Sequence, residues 1–169
     1  MRLFFALVPD AALRAALRER ALAMASQIGG RAVPPANLHL TLAFLGDIEP
    51  GRVAALETIH ATIPTEPFTL TLDRVGEWHH AGVAWIAPAE VPRLLAALHA
   101  QLNTALAAEG FARESRPFRP HVTLVRRRAR PLADAACEPL AWRVVRVALM
   151  LSERIGSAIR YREHEVGAR

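Results

Sequence analysis

Apolar positions along this chain recur at two spacings, and the switches between them predict the elements. The stretch from Arg2 to Val8 is short, apolar and rich in strand formers, and Pro9 ends it. Asp10 is placed to cap a helix in which Leu13, Leu17, Met24 and Ile28 fall on one side, with Gly29-Gly30 closing it. Leu38 to Leu45 reads as a strand, with Leu40, Leu42 and Phe44 expected to face a core. A second helix fits Gly51 to Thr62, a half-buried strand Phe68 to Leu72, and a further strand Val83 to Ala87 after a turn around Trp78-His79-His80-Ala81-Gly82. Pro88-Ala89-Glu90 then opens a helix carrying Leu94, Leu95, Leu98, Leu102 and Leu106, closed by Gly110. A strand around His121 to Arg126 follows, and Arg126 to Pro139 reads as an exposed, arginine-rich loop. Strands over Trp142 to Leu151 and Ala158 to Glu163 complete the pattern.

The two halves of this pattern match. A strand ending in proline, a helix, a glycine and a loop lead to His39-Leu40-Thr41-Leu42, and the same series leads to His121-Val122-Thr123-Leu124. From Gly29 to His39 is ten positions, and from Gly110 to His121 eleven. A single His-x-Thr arises readily by chance, and alone reads as a satisfied structural histidine. Two copies in matching contexts point instead to an internal repeat over about 2–46 and 82–127 within one domain, 1–169. Two copies are too few for a solenoid. They are expected to pack about a pseudo-twofold axis as a bilobal α+β fold, with two mixed or antiparallel sheets, outer helices and a cleft between the lobes. Because a strand alternates its faces, His39 and Thr41 share a side, as do His121 and Thr123.

Composition adds constraints. The 169 residues suffice to bury roughly 70% of the unfolded surface. No apolar run approaches the ~20 residues of a membrane helix. The N-terminal apolar stretch is short for a secretory signal and meets Pro9-Asp10 where small residues would be needed. The lone Cys137 excludes an internal disulfide framework and gives no support to a thiolate metal cage, and a reducing cytoplasm is the default compartment. The net charge of +5 is carried by arginine alone, since the chain has no lysine. A GC-rich genome and a phosphate-binding role explain that equally well; the positive field favours polyanionic partners in either case.

Two histidines facing one substrate can serve as general acid and general base, because the imidazole titrates near neutrality. Threonine hydroxyls suit phosphate oxygens, and Arg126 would add a fixed cation to hold a phosphodiester. Such a set can direct water at a phosphodiester while a sugar hydroxyl departs, without a metal or other cofactor. Arg126 poses a geometric problem. Five positions past His121, strict alternation sends it to the opposite face unless a bulge or the strand's end re-aims it.

The segments Asn37-Leu38-His39-Leu40-Thr41-Leu42-Ala43-Phe44-Leu45-Gly46 and Arg116-Pro117-Phe118-Arg119-Pro120-His121-Val122-Thr123-Leu124-Val125-Arg126 resemble the paired motifs of the two-histidine (2H) phosphoesterases. The similarity is to the RNA 2',3'-cyclic phosphodiesterases once described as 2'-5' RNA ligases. It runs from Arg2-Leu3-Phe4-Phe5-Ala6 to Tyr161. It implies metal-independent opening of a 2',3'-cyclic phosphate to a 2'-phosphate, and the same site can run in reverse to join RNA ends. By that resemblance His39 is the proton donor and His121 the proton acceptor; near-symmetry leaves the roles open on physical grounds. Thr41, Thr123 and Arg126 would bind the phosphate, and Phe4 and Tyr161 would line a nucleoside pocket. The implied partner is an RNA or nucleotide with a cyclic phosphate end, met by a cytoplasmic monomer away from membranes. The rival readings are a 2H enzyme for another cyclic or 2'-5' diester, a nucleotide-binding module without turnover, and a metal-dependent phosphodiesterase.

The remaining candidates have plainer readings. His60 and His99 fall on predicted helix faces, His79-His80 on a polar hairpin tip, and His164 in a solvated tail. Trp78 could stack a base, but a core or rim aromatic is the simpler role. Arg127, Arg128 and Arg130 fit an RNA-contacting patch and a solvated loop equally, and Ser152 reads as structural.

Overall fold

The computed structural model describes residues 1–112, 114, 116–156 and 158–165. The chain runs β1 (Arg2–Leu7), α1 (Ala11–Ile28), β2 (Arg31–Ala32), β3 (Leu40–Asp47), α2 (Val53–Thr62), β4 (Phe68–Trp78), β5 (Val83–Ala87), α3 (Arg93–Ala108), β6 (Val122–Arg126), β7 (Ala135–Val144), β8 (Ala148–Ile155) and β9 (Ala158–Glu163). The elements and the α+β class follow the hydrophobic pattern. Asp10 caps α1 as expected, its Oδ1 accepting the Leu13 amide at 2.8 Å, a contact of about 1 kcal/mol. Gly29, with φ of 73°, ends the helix in the left-handed region that glycine adopts without strain.

Among the described residues all strand pairs are antiparallel, in the order β7-β4-β5-β6-β3-β1-β8-β9, with β2 added beside β6. The motif strands β3 and β6 meet at the centre through one pair, Leu40 with Val122, which joins two four-stranded halves into a continuous sheet. One face of the sheet packs against the helices in a core that includes Leu3, Phe5, Leu7, Leu17, Leu40, Leu56, Leu95, Leu102 and Val122. Phe4, Ala6, Ala148 and Met150 form a smaller cluster of their own, with Tyr161 packed on it. No described helix is long and apolar enough to cross a membrane.

Four expectations need correction. Phe44 does not enter the core but stands 53% exposed. In β3, Phe5 pairs with Ala43 and Ala6 with Thr41, so Leu42 is an extra residue; Leu42 and Ala43 both turn inward, and Phe44 emerges on the side of Thr41. The stretch Trp142 to Leu151 is two strands, because β7 pairs with β4 in one half while β8 pairs with β1 in the other, and the chain must cross between. The arginine-rich loop ends at Asp134 rather than Pro139: β4 is longer than its alternating stretch, and β7 pairs with the added length. Pro139 is tolerated within β7 because that strand lies at the sheet edge and shifts register there. Finally, α3 starts at Arg93 rather than Pro88, with Pro92 extended at its N-cap and Asp73 Oδ1 accepting the Ala89 amide at 2.7 Å.

Leu40 is fully buried at the junction of the halves. Leu40→Ala is expected to cost about 2–5 kcal/mol in urea unfolding, as deep truncations do. A loss below about 1 kcal/mol would show that the central pair carries little of the fold.

Candidate active site

Both motif histidines sit just ahead of their strands rather than inside them, His39 before β3 and His121 before β6. A turn at Pro35–Asn37 delivers the first, and Arg119-Pro120 the second. The shared facing of the first pair survives: His39 Nε2 lies 3.0 Å from Thr41 Oγ1. Asn37 fixes this approach to β9, with its Nδ2 donating to the Ile159 carbonyl at 2.8 Å and its Oδ1 accepting the Tyr161 amide at 2.9 Å.

The two imidazoles are held alike. His39 Nδ1 is 2.7 Å from the Asn37 carbonyl and His121 Nδ1 is 2.8 Å from the Arg119 carbonyl, in each case two residues back. A carbonyl only accepts, so each Nδ1 carries the proton and each Nε2 is left as the free base. Thr41 can then donate its hydroxyl proton to His39 Nε2. Aromatic rings fix the planes: Phe4 and Tyr161 each centre 5.0 Å from His39, and Trp78 stands edge-on to His121 at 4.2 Å.

Burial dominates the electrostatics of both rings. The pKa of His39 is lowered to about 4, first by desolvation, against which the Asn37 carbonyl works, with His121 and Arg126 adding to the depression. That of His121 is lowered too, by desolvation and by Arg126, with the Arg119 carbonyl opposing. Both imidazoles are therefore neutral at pH 7 in the free protein.

Phe4, His39, Thr41, His121, Thr123, Arg126 and Tyr161, the seven residues singled out from the sequence, line one small cup of about 140 Å³. Phe44 lines it as well. Arg126 reaches it through a bulge: Ala84 pairs with Val125 and Trp85 with Thr123, leaving Leu124 extra, so Leu124 and Val125 both face the core and Arg126 returns to the side of Thr123. The same displacement acts on Phe44, five positions past His39 as Arg126 is five past His121. Comparison of the two repeats is the signal by which Phe44 could have been found.

Behind Arg126 the chain is tightly constrained. Arg127 has φ of 54°, and a side chain at Gly30 would come 2.7 Å from the Arg126 carbonyl oxygen. Arg128 is not a solvated or RNA-facing residue. Its side chain is 6% exposed against Glu77 at 15%, with Nη2 donating to Glu77 Oε1 at 2.8 Å and to His79 Nδ1 at 2.8 Å. Glu77 Oε2 also accepts the Leu132 amide at 2.8 Å, which closes the loop.

The other candidates lie elsewhere. His60 Nε2 bonds the Val147 carbonyl, His99 stacks on Phe118, and His79 and His80 are exposed at the hairpin tip. His164 is not a solvated tail residue: its amide continues the β8–β9 pairing by donating to the Leu149 carbonyl, and its Nε2 lies 2.9 Å from Glu57 Oε1. Among the described residues no group of three His, Cys, Asp or Glu is placed to hold a metal ion.

A model of the 2'-5' RNA ligase superfamily matches residues 8–156. The RNA 2',3'-cyclic phosphodiesterase of Escherichia coli is 38% identical over 125 residues, 74% of this chain and 71% of that one. The Thermus thermophilus protein of the same name is 34% identical over 163 residues, 90% of this chain and 82% of that one. Among solved structures, E. coli LigT complexed with 3'-AMP superposes with a TM-score of 0.81 at 32% identity, covering 97% of this chain and 95% of that one.

Glu77→Gln keeps the shape of the side chain but leaves Arg128 buried without its counter-charge. Breaking a buried pair in this way costs about 3–5 kcal/mol. Denaturant unfolding should register that loss, and affinity for inorganic phosphate should fall with it as Arg126 loses its backing. Unchanged stability would mean that the pair does not hold the loop.

Proposed function

The chain belongs to the 2'-5' RNA ligase superfamily, and from that premise we propose that its cup opens RNA 2',3'-cyclic phosphate ends to 2'-phosphates by paired imidazole catalysis without a metal. It is a cyclic phosphodiesterase, as its relatives are named. The observation that carries the mechanism is the mirrored pair of histidines. Each is tied at Nδ1 to a backbone carbonyl two residues back, and both open onto one cup with Arg126.

In the proposed reaction His121 Nε2 takes a proton from water as the water oxygen bonds to phosphorus. The bond from phosphorus to the 3'-oxygen breaks, and His39, protonated at Nε2 in the complex, gives its proton to that oxygen. Acid and base stand on opposite sides of the phosphorus, as an in-line displacement requires. Arg126 and the hydroxyls of Thr41 and Thr123 hold the non-bridging oxygens, where charge builds up. The substrate's negative charge offsets Arg126 and raises both imidazole pKa values, which lets one ring load a proton on binding; the assignment of that proton to His39 follows the family resemblance. Phe4 and Tyr161, at the His39 wall, are proposed to face the ribose of the nucleoside. The reverse reaction uses the same groups to join ends.

Strand order supports an origin by duplication of a unit spanning about 2–46 and 82–127. Read outward from the centre, β3 corresponds to β6, β1 to β5, β8 to β4 and β9 to β7. The cup is built from one chain, which supports a monomer as the working unit, and the single Cys137 fits a reducing cytoplasm.

The test is a short RNA ending in a 2',3'-cyclic phosphate, incubated in excess EDTA with wild type, His39→Ala and His121→Ala. Wild type should yield a 2'-phosphate, and each variant should lose roughly 10²–10⁴-fold in rate. Activity that vanishes with the chelator, or survives in both variants, would overturn the reading.

A further inference from the structure

The two imidazoles are not held equally. His39 has a second polar contact, Thr41 Oγ1 at 3.0 Å from its Nε2, whereas the hydrogen bonds of His121 among the described residues end at the Arg119 carbonyl. What fixes the His121 ring about that single tether is Trp78, edge-on at 4.2 Å. Trp78 is backed in turn by Trp85, whose ring centre lies 5.9 Å from its own.

This backing is built from two locally unfavourable choices. Gly76 lies inside β4, where glycine weakens a strand, and its φ is not positive, so the backbone does not require it. Space does. Trp85 pairs with Gly76, and a Cβ added to the glycine would meet Cζ2 and Cη2 of the indole at 2.5 and 2.6 Å. The indole N–H of Trp85 is buried with no hydrogen-bond partner among the described residues, so the ring serves by its bulk and not as a donor. The other half is built differently. Ala6 pairs with Thr41 and Ala148 as Trp85 pairs with Thr123 and Gly76, so two alanines stand where the tryptophan and glycine do. There His39 is covered by Phe4 and Tyr161 instead. Departures from local preference of this kind belong to places where function needs them.

We propose that Gly76 and Trp85, which do not line the cup, are positioning residues for His121: the glycine is the notch that seats Trp85, and Trp85 holds Trp78 against the imidazole. The inference rests on the cyclic phosphodiesterase reading and extends it to the residues behind the site. With Trp78 in place, one side of the His121 ring is kept from water, which favours the neutral base.

The experiment compares wild type with Gly76→Ala, Trp85→Ala and the double variant Gly76→Ala with Trp85→Phe. The readouts are kcat and KM on a short RNA ending in a 2',3'-cyclic phosphate, and the pKa of each site histidine from NMR titration of ¹⁵N-labelled histidine. The titratable and charged groups around His121 stay in place: His39 and Arg126 across the cup, and His99, Glu114, Arg116 and Arg119 along the adjoining cavity. Gly76→Ala should displace both tryptophans, lower kcat by about 10²-fold with KM little changed, and raise the His121 pKa toward 6.5 without raising that of His39. Trp85→Ala, which adds no bulk to the strand, should raise the His121 pKa in the same way. The double variant, whose smaller ring leaves room for the methyl group, should recover both readouts. A His121 pKa unmoved in both single variants, or one that rises together with that of His39, would overturn the positioning role. The titration needs no turnover, so a protein that shows these pKa changes but does not hydrolyse would overturn the activity and leave the positioning standing.

Discussion

A strand that alternates strictly cannot turn the first, third and sixth residues of a motif toward one ligand. The bulge at Leu124 removes that restriction: Leu124 and Val125 both face the core, and Arg126 comes back to the side of His121 and Thr123. The bulge at Leu42 does the same for Phe44 in the other half. Two of the eight residues that line the cup, Phe44 and Arg126, depend on these insertions. Each bulge commits two adjacent apolar residues to the core, so unwinding it would expose one of them, and the packing that stabilises the sheet also aims the site. The loop beyond Arg126 adds a second hold, through Gly30 at close approach and the buried pair of Arg128 with Glu77.

Burial and charge then set the protonation of the site. The rings of His39 and His121 are half-buried against Phe4, Tyr161 and Trp78, with Arg126 as a fixed cation acting on both. Each influence disfavours imidazolium, and His39, lowered to about 4, is the more strongly affected. Because its folded pKa lies below the ordinary value of 6.5, the unfolded chain takes up the proton first as pH falls, and this contribution to stability is lost between about 6.5 and 4. For catalysis the consequence is coupling: an anion in the cup opposes Arg126 and draws a proton onto the pair. The proposed acid is thus assembled by its substrate.

Much of this was legible in the sequence because duplication repeats its signals. Two His-x-Thr segments, each after a strand, helix and glycine, located the two histidines of the cup and the central strands, and Asp10 and Gly29 marked the ends of α1. What failed to show were features that depend on distant partners. Alternation placed Phe44 in the core because a bulge has no local marker in Thr41-Leu42-Ala43-Phe44. The arginine run looked uniform, yet Arg128 differs from its neighbours through Glu77, fifty-one positions away in sequence. Pro139 read as the end of a loop because nothing nearby shows that its strand lies at the sheet edge. His164 likewise has its partner in Glu57, 107 positions away in sequence.

The central claim is that both imidazoles are neutral bases at Nε2 in the free protein and that an anion in the cup protonates one of them. Nitrogen chemical shifts of ¹⁵N-labelled histidine, recorded at pH 7 with and without adenosine 2'-phosphate, address it directly. The account predicts that the free protein holds His39 and His121 as Nδ1–H tautomers and that one becomes imidazolium in the complex. Imidazolium or Nε2–H tautomers in the free protein, or two rings left neutral by the ligand, would contradict it.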